Sequence, residues 1–148
     1  MSSDLAETTW LDTECRSSLL AGTQLHGSQM RRTVFHHCKF DSVTLRAAQL
    51  RDVTVADCLL REVDVAGATL TGVTFPGTAL DRVDFTKATL ARVDFTKATL
   101  ARVDLREATS LGVTSGVEAL KGATISTLQL FDLAPALAQH IGVTVKDS

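Results

Sequence analysis

Tyrosine is absent from this 148-residue chain, and a single tryptophan stands beside six phenylalanines. Enzyme pockets and binding hot spots draw on aromatic surface, so the shortage argues against a deep ligand site. Cysteine is scarce as well. Cys15, Cys38 and Cys58 are an odd number without metal-ligand spacing, which argues against a disulfide framework and against a zinc site. The net charge of −2 holds no basic excess for nucleic acid and no polybasic run for a lipid surface. No apolar run approaches the ~20 residues needed to cross a bilayer. The opening residues MSSDLAETTW are acidic and polar, unlike a secretory leader, which points to the cytoplasm. The nucleophile elbow G-x-S-x-G, the P-loop and the zinc motif H-E-x-x-H are missing too. These absences predict a protein that is not an enzyme, with no catalytic residues, no metal, no cofactor, and no direct contact with nucleic acid or membrane.

What is present is a period of five. Every fifth residue from Leu5 to Leu105 is apolar, through Trp10, Cys15, Leu20 and Leu25 to Phe95 and Leu100, in a chain that is 45% hydrophobic. Neither a helix nor a plain strand has that period, and internal repeats set the architecture when they exist. The residue two before each of these centres is small or β-branched, as at Ala48, Val53, Cys58, Val63 and Ala68. Two inward columns, one large and one small, therefore run along the chain. The five glycines before residue 106 (Gly22, Gly27, Gly67, Gly72, Gly77) all stand two after a centre, a position that asks for positive φ. Pro76 and Gly77 are the pair favoured in the middle of a type II turn. Each unit thus reads as a short extended piece and a tight turn. Four units turning about a quarter-revolution each close a square coil of 20 residues. Roughly five such coils, stacked as parallel strands about 4.8 Å apart, make a filled rod about 25 Å long.

These residues resemble the pentapeptide-repeat family, whose pattern is A-(D/N)-L-x-x, most cleanly in RVDFTKATLARVDFTKATLARVDL at residues 82–105. The resemblance implies a right-handed quadrilateral parallel β-helix, an all-β fold, here followed by a C-terminal helix. The segment FTKATLARVD occurs twice in succession, at 85–94 and 95–104. The chain divides into a β-helix over residues 1–109, an irregular last coil over 110–125 and a helical cap or dimerisation tail over 126–148. Leu111 is out of register and Glu118 takes a small-residue slot, while Ala123 and Ile125 restore the pattern once. In the tail, Thr127 is a candidate cap and Gly142 a candidate stop. Pro135 either starts a second helix or kinks one, and Val143 and Val145 suit a terminal strand. Leu130, Leu133, Leu137 and Ile141 follow helical spacing, with Leu128 and Phe131 beside them. An uncovered β-helix end is an aggregation hazard. These six residues are therefore expected to cover the last coil and to meet a second copy of the chain. The N-terminal coil, with Ser and Thr in its small column and outer acids, reads as a polar end.

Among candidate functional residues, Asp64, Asp84 and Asp104 are spaced by one coil and are expected to stack on one face, with Asp94 opposite. Like charges one strand apart are unfavourable, so this column is the candidate partner-binding face. The bland alternative is that each Asp serves its local backbone, with Arg82, Lys87, Arg92, Lys97 and Arg102 answering the charge. His36 and His37 lack further ligands and read as exposed turn residues. Cys38 and Cys58, one coil apart in the small column, read as reduced thiols filling corners, as does Cys15 at its centre position. The repeat is similar to the quinolone-resistance, gyrase-binding members of the family, and its tail to the mycobacterial type. What that resemblance implies is a homodimer, joined through the C-terminal helix, that imitates DNA and binds DNA gyrase or topoisomerase IV. A structural scaffold with an unknown protein partner is the competing reading.

Overall fold

In the computed structural model, which describes residues 3–147 (residue 114 by its backbone alone), successive strands climb in steps of twenty. Residues 1, 2 and 148, at the outer bounds of the first and last expected segments, lie outside the described residues. The first coil carries β1 (Thr9–Leu11), β2 (Glu14–Arg16) and β3 (Leu19–Ala21). The second carries β4 (Gln29–Arg31), β5 (Val34–His36) and β6 (Lys39–Asp41), and the third β7 (Gln49–Arg51), β8 (Thr54–Ala56) and β9 (Leu59–Arg61). Then come β10 (Thr69–Thr71), β11 (Ala79–Asp81), β12 (Thr89–Asp94), β13 (Thr99–Ala101), β14 (Val103–Asp104), β15 (Ser110–Ser115) and β16 (Ala123–Thr124). A single helix, α1 (Thr127–Ile141), closes the chain.

Strands pair in parallel with the strand one coil away. One wall is the sheet β1-β4-β7-β10-β12-β15, and another is β3-β6-β9-β11-β13. A third wall starts as β2-β5-β8 and continues through single bridges to Thr74 and Asp94. The fourth is a run of bridges from Asp4 through Gln24, Thr44, Asp64 and Asp84 to Asp104. The architecture is a right-handed four-sided β-solenoid of about six turns, one more than the sequence spacing suggests, with one C-terminal helix.

The period of five works because each residue class has one place. Centres point inward: Trp10 pairs with Met30, then Leu50, Leu70 and Leu90 follow in register. From Leu25 onward the centres up to Leu105 are buried, and the small residues two before them fill the corners. Phe75 and Phe95 stack at 5.4 Å, while Phe35 meets Phe40 edge-on at 5.1 Å. Corners require left-handed backbone. Every fifth residue from Glu7 to Arg102 has φ between 49° and 68°, and fifteen of these twenty carry a side chain. A left-handed residue with a Cβ costs roughly 1 kcal/mol. The cost is offset by the coil ladder, in which such residues donate to the next coil, as from Asp12 N to Arg31 O (3.0 Å) and His37 N to Ala56 O (3.1 Å).

Two kinds of corner result. At Pro76 and Gly77, Thr78 N donates back to Phe75 O at 3.2 Å, closing a type II turn with Gly77 at φ 67°. The equivalent corners one and two coils earlier are held by side chains instead. Cys58 N donates to Thr78 Oγ1 (3.2 Å) and Cys38 N to Cys58 Sγ (3.4 Å). Thr78 Oγ1 and Cys58 Sγ in turn donate to the carbonyls of Val55 (2.7 Å) and Phe35 (3.5 Å). The thiols thus occupy a hydroxyl-like position in a corner column.

The two ends differ from the sequence expectation. Among the described residues none packs beneath the first coil: Trp10 and Cys15 are half-buried, and Leu5, Leu11 and Leu19 are exposed, so its outer acids do not make it a purely polar end. At the other end β15 meets β12 with register shifts after Leu90, and Leu111 rather than residue 110 pairs with Leu90. A short 3-10 turn, Val117–Leu120, follows. The N-cap of α1 is Ser126, not Thr127, and Ser126 and Gln129 form a reciprocal capping box. Gly142 ends the helix at φ 84°. Pro135 lies inside one continuous helix and starts no second one. Val143 and Val145 form no strand. No described helix is long and apolar enough to cross a membrane.

Candidate functional site

The fourth wall carries an excess of acid. Among the described residues, Asp4, Glu7, Asp64, Asp84, Asp104 and Glu107 share it and the corner after it with Arg46, Lys87 and Arg106, and the corner before it adds Glu62, Arg82 and Arg102. The backbone pairs Asp64 with Asp84 and Asp84 with Asp104, so three carboxylates rise along one column at the strand spacing. Asp94 stands on the opposite wall, paired with Thr74.

Each of these carboxylates also serves its own turn. Asp64 Oδ1 accepts from Ala66 N (2.9 Å), Asp84 Oδ1 from Thr86 N (2.9 Å) and Thr86 Oγ1 (2.6 Å), and Asp104 Oδ1 from Arg106 N (3.0 Å). Asp94 does the same with Thr96 N at 2.8 Å. An Asp one before the centre therefore replaces a backbone acceptor where the chain bends. The outward oxygens are partly answered: Arg46 Nε lies 2.7 Å from Asp64 Oδ2, and an Arg106 guanidinium nitrogen lies 2.7 Å from Asp104 Oδ2. That guanidinium, with the Arg106 N–H, holds the Asp104 carboxyl below the usual carboxylate range. Among the described residues no cation lies within ion-pair distance of Asp84, the middle of the ladder. Beside it a shallow depression of about 330 Å³ is lined by Arg82, Val83, Asp84, Thr86, Arg102, Asp104 and Glu107.

The helical end separates residues that the sequence grouped together. Leu133 is buried against the last coil and Leu137 is half-buried. Gln129 lies beside Leu133 and donates from Nε2 to Leu105 O at 2.6 Å, plugging the end of the fourth wall. The docking ridge is thus the i, i+4 row through Gln129 and Leu133. Leu128 (77% exposed), Leu130, Phe131 (69%) and Ile141 (73%) face outward. Phe131, Ala134, Pro135, Ala138 and Val145 enclose an apolar groove of about 330 Å³ on that outer side. Gln129 escaped the sequence reading because it is polar, although a Ser followed three residues later by Gln was a legible capping signal.

The remaining candidates stay apart. His36 is half-buried in β5, and His37 Nε2 lies 4.0 Å from Asp57 Oδ2 at an exposed corner. Among the described residues no group of three His, Cys, Asp or Glu side chains could hold a metal ion. All three cysteines are free thiols.

The family described as Pentapeptide repeat region matches residues 8–85 and 28–114. No curated protein matches the chain. Among solved structures, the pentapeptide repeat protein Rfr23 from the cyanobacterium Cyanothece 51142 is 14% identical, with 83% of this chain and 91% of that chain covered and a TM-score of 0.53. A trypsin-treated form of QnrB1, a plasmid-mediated fluoroquinolone resistance protein, is 13% identical over 99% and 98% of the two chains, with a TM-score of 0.36. HetL, involved in heterocyst differentiation regulation in the cyanobacterium Nostoc, is 14% identical over 83% of each chain, with a TM-score of 0.34.

Proposed function

The chain belongs to the pentapeptide-repeat family, and from that premise we propose that it works by binding another protein, in the cytoplasm, rather than by catalysis. The observation that carries this reading is the column Asp64, Asp84, Asp104 on a wall where acids outnumber bases. Carboxylates repeating at about 4.8 Å on a straight rod suit a basic, elongated groove, and a groove built for duplex DNA is of that kind. The partner proposed is therefore a type II topoisomerase, DNA gyrase or topoisomerase IV, engaged in place of DNA. Dimerisation through the outer face of α1, where Leu128, Leu130, Phe131 and Ile141 are exposed, would extend the rod.

The test is gyrase supercoiling with and without a fluoroquinolone, at low and moderate salt. Salt-sensitive inhibition or protection is expected. Asp84→Lys is expected to weaken it about tenfold, on the order of one charge contact. Phe131→Glu is expected to halve the sedimenting mass. No effect at micromolar protein overturns the topoisomerase reading. The scaffold reading then stands, favoured by the ion pairs that Arg46 and Arg106 already make within the acidic wall. Capture of one non-topoisomerase partner would support it.

A further inference from the structure

We propose that Cys15 and Cys38 are an oxidisable dithiol between the first and second coils of the rod, which a hydroperoxide converts to a disulfide. Their sulfurs lie 3.9 Å apart, although 23 residues separate them in sequence. Cys38 Sγ is also 3.4 Å from the Cys15 carbonyl, so it sits directly over the first coil. Cys15 is half-buried in that coil, which no other coil covers among the described residues, whereas Cys38 and Cys58 are buried behind it. A small oxidant arriving from solvent therefore meets Cys15 first.

The chemistry runs in two balanced steps. Cys15 Sγ attacks the peroxide, the O–O bond breaks, and the products are a Cys15 sulfenic acid and an alcohol, or water from hydrogen peroxide. Cys38 Sγ then attacks the Cys15 sulfur, gives up its proton and expels the oxygen as water. The two sulfurs together lose two electrons, which the peroxide takes. The sulfurs must approach to about 2.05 Å. Side-chain rotation supplies part of this, and the first coil supplies the rest, because among the described residues its strands pair on one side, with the second coil. Cys38 gives up its thiol hydrogen bonds to the carbonyls of Cys15 and His36, but its N–H keeps the Cys58 sulfur as acceptor. Burial raises the thiols of both Cys38 and Cys58, so what keeps Cys58 out of the exchange is its place: its thiol donates to the Ala56 carbonyl at 3.1 Å, and it is Cys38 that lies against Cys15. The product ties the first coil to the second.

The test uses the whole protein, treated with a small excess of hydrogen peroxide, quenched by alkylation and weighed intact. The expected product is a single chain about 2 Da lighter, consistent with loss of two thiol hydrogens, with a Cys15–Cys38 linkage in the peptide map and reversal by dithiothreitol. Cys15→Ser and Cys38→Ser each abolish it, while Cys58→Ser, which keeps an acceptor for the Cys38 N–H, retains it. Cleavage by trypsin after Arg16 is expected to slow in the oxidised form. Oxygen adducts at Cys15 without a linkage, a link between two chains, or a Cys38–Cys58 bond would each overturn the proposal.

Discussion

Ser28 occupies a slot that the next three coils give to Ala48, Ala68 and Ala88, and its buried hydroxyl has no hydrogen-bond partner among the described residues. An unpaired buried hydroxyl costs free energy that a methyl group does not. Ser28→Ala is therefore expected to stabilise the protein by about 1 kcal/mol, read as a higher urea midpoint with an unchanged slope. Cys58 gives a second prediction at this scale. Burial keeps its thiol protonated up to about 11, while an unfolded thiol ionises near 8.5. The folded state then holds a proton that the unfolded state has lost. Stability present below about pH 8.5 is expected to fall as pH rises toward 11. Cys58→Thr, which keeps a donor and an acceptor at the corner, is expected to make that limb of the pH profile shallower, the remainder belonging to Cys38, whose thiol burial also raises.

Among elements, those with a strict period were legible from sequence and those set by docking were not. Centres, corner residues and the type II signal at Pro76 and Gly77 follow from spacing, because every coil repeats one environment. The glycines showed where φ is positive but understated the rule, since fifteen residues with side chains share that conformation. The stacking of Asp64, Asp84 and Asp104 was readable for the same reason. Their engagement with Ala66, Thr86 and Arg106 was not, because hydrogen-bond direction is absent from a period. In α1, helical spacing set Leu130 and Ile141 on one stripe with Leu133 and Leu137, as a surface for the last coil and a second copy together, and the helix docks on the row through Gln129 and Leu133. Apolar residues lie on more than one side of that helix, so pattern alone could not say which side meets the rod. The irregular coil depends on close approach. A Cβ on Gly116 would lie 2.3 Å from Thr96 N, a backbone atom, at a φ of +85°. Gly116→Ala is expected to cost about 3 kcal/mol. Gly67→Ala, which meets nothing within 4 Å, is expected to cost about 1 kcal/mol. Chemical denaturation of the two variants checks the contrast.

At the scale of the whole molecule, charge is arranged as many short local answers. Hydrogen bonds from Arg32, Arg102 and Arg106 hold the carboxyls of Asp12, Asp81 and Asp104 below the usual carboxylate range. Depressed carboxyls stabilise the folded state above the unfolded value, near pH 4, and that contribution is lost as pH falls through their lower folded values. These pairs are exposed and salt-screened, so the expected acid limb is shallow and weaker at high ionic strength. Arg102→Ala is expected to remove the Asp81 share of it while leaving the alkaline limb untouched.

The repeated decapeptide at 85–94 and 95–104 has a consequence for how such a molecule tolerates changes in length. Ten residues are half a circuit, so identical sequences look out in opposite directions: Asp84 and Asp104 on one wall, Asp94 across from them. An insertion or deletion here acts as a change of phase. Removing 95–104 is expected to swing α1 through a half-turn about the long axis relative to the first coil. Removing 85–104 shortens the rod by one storey and leaves its bearings unchanged. Paired spin labels on the first coil and on α1 would separate the two cases, because only whole circuits keep a multi-sided partner surface in alignment.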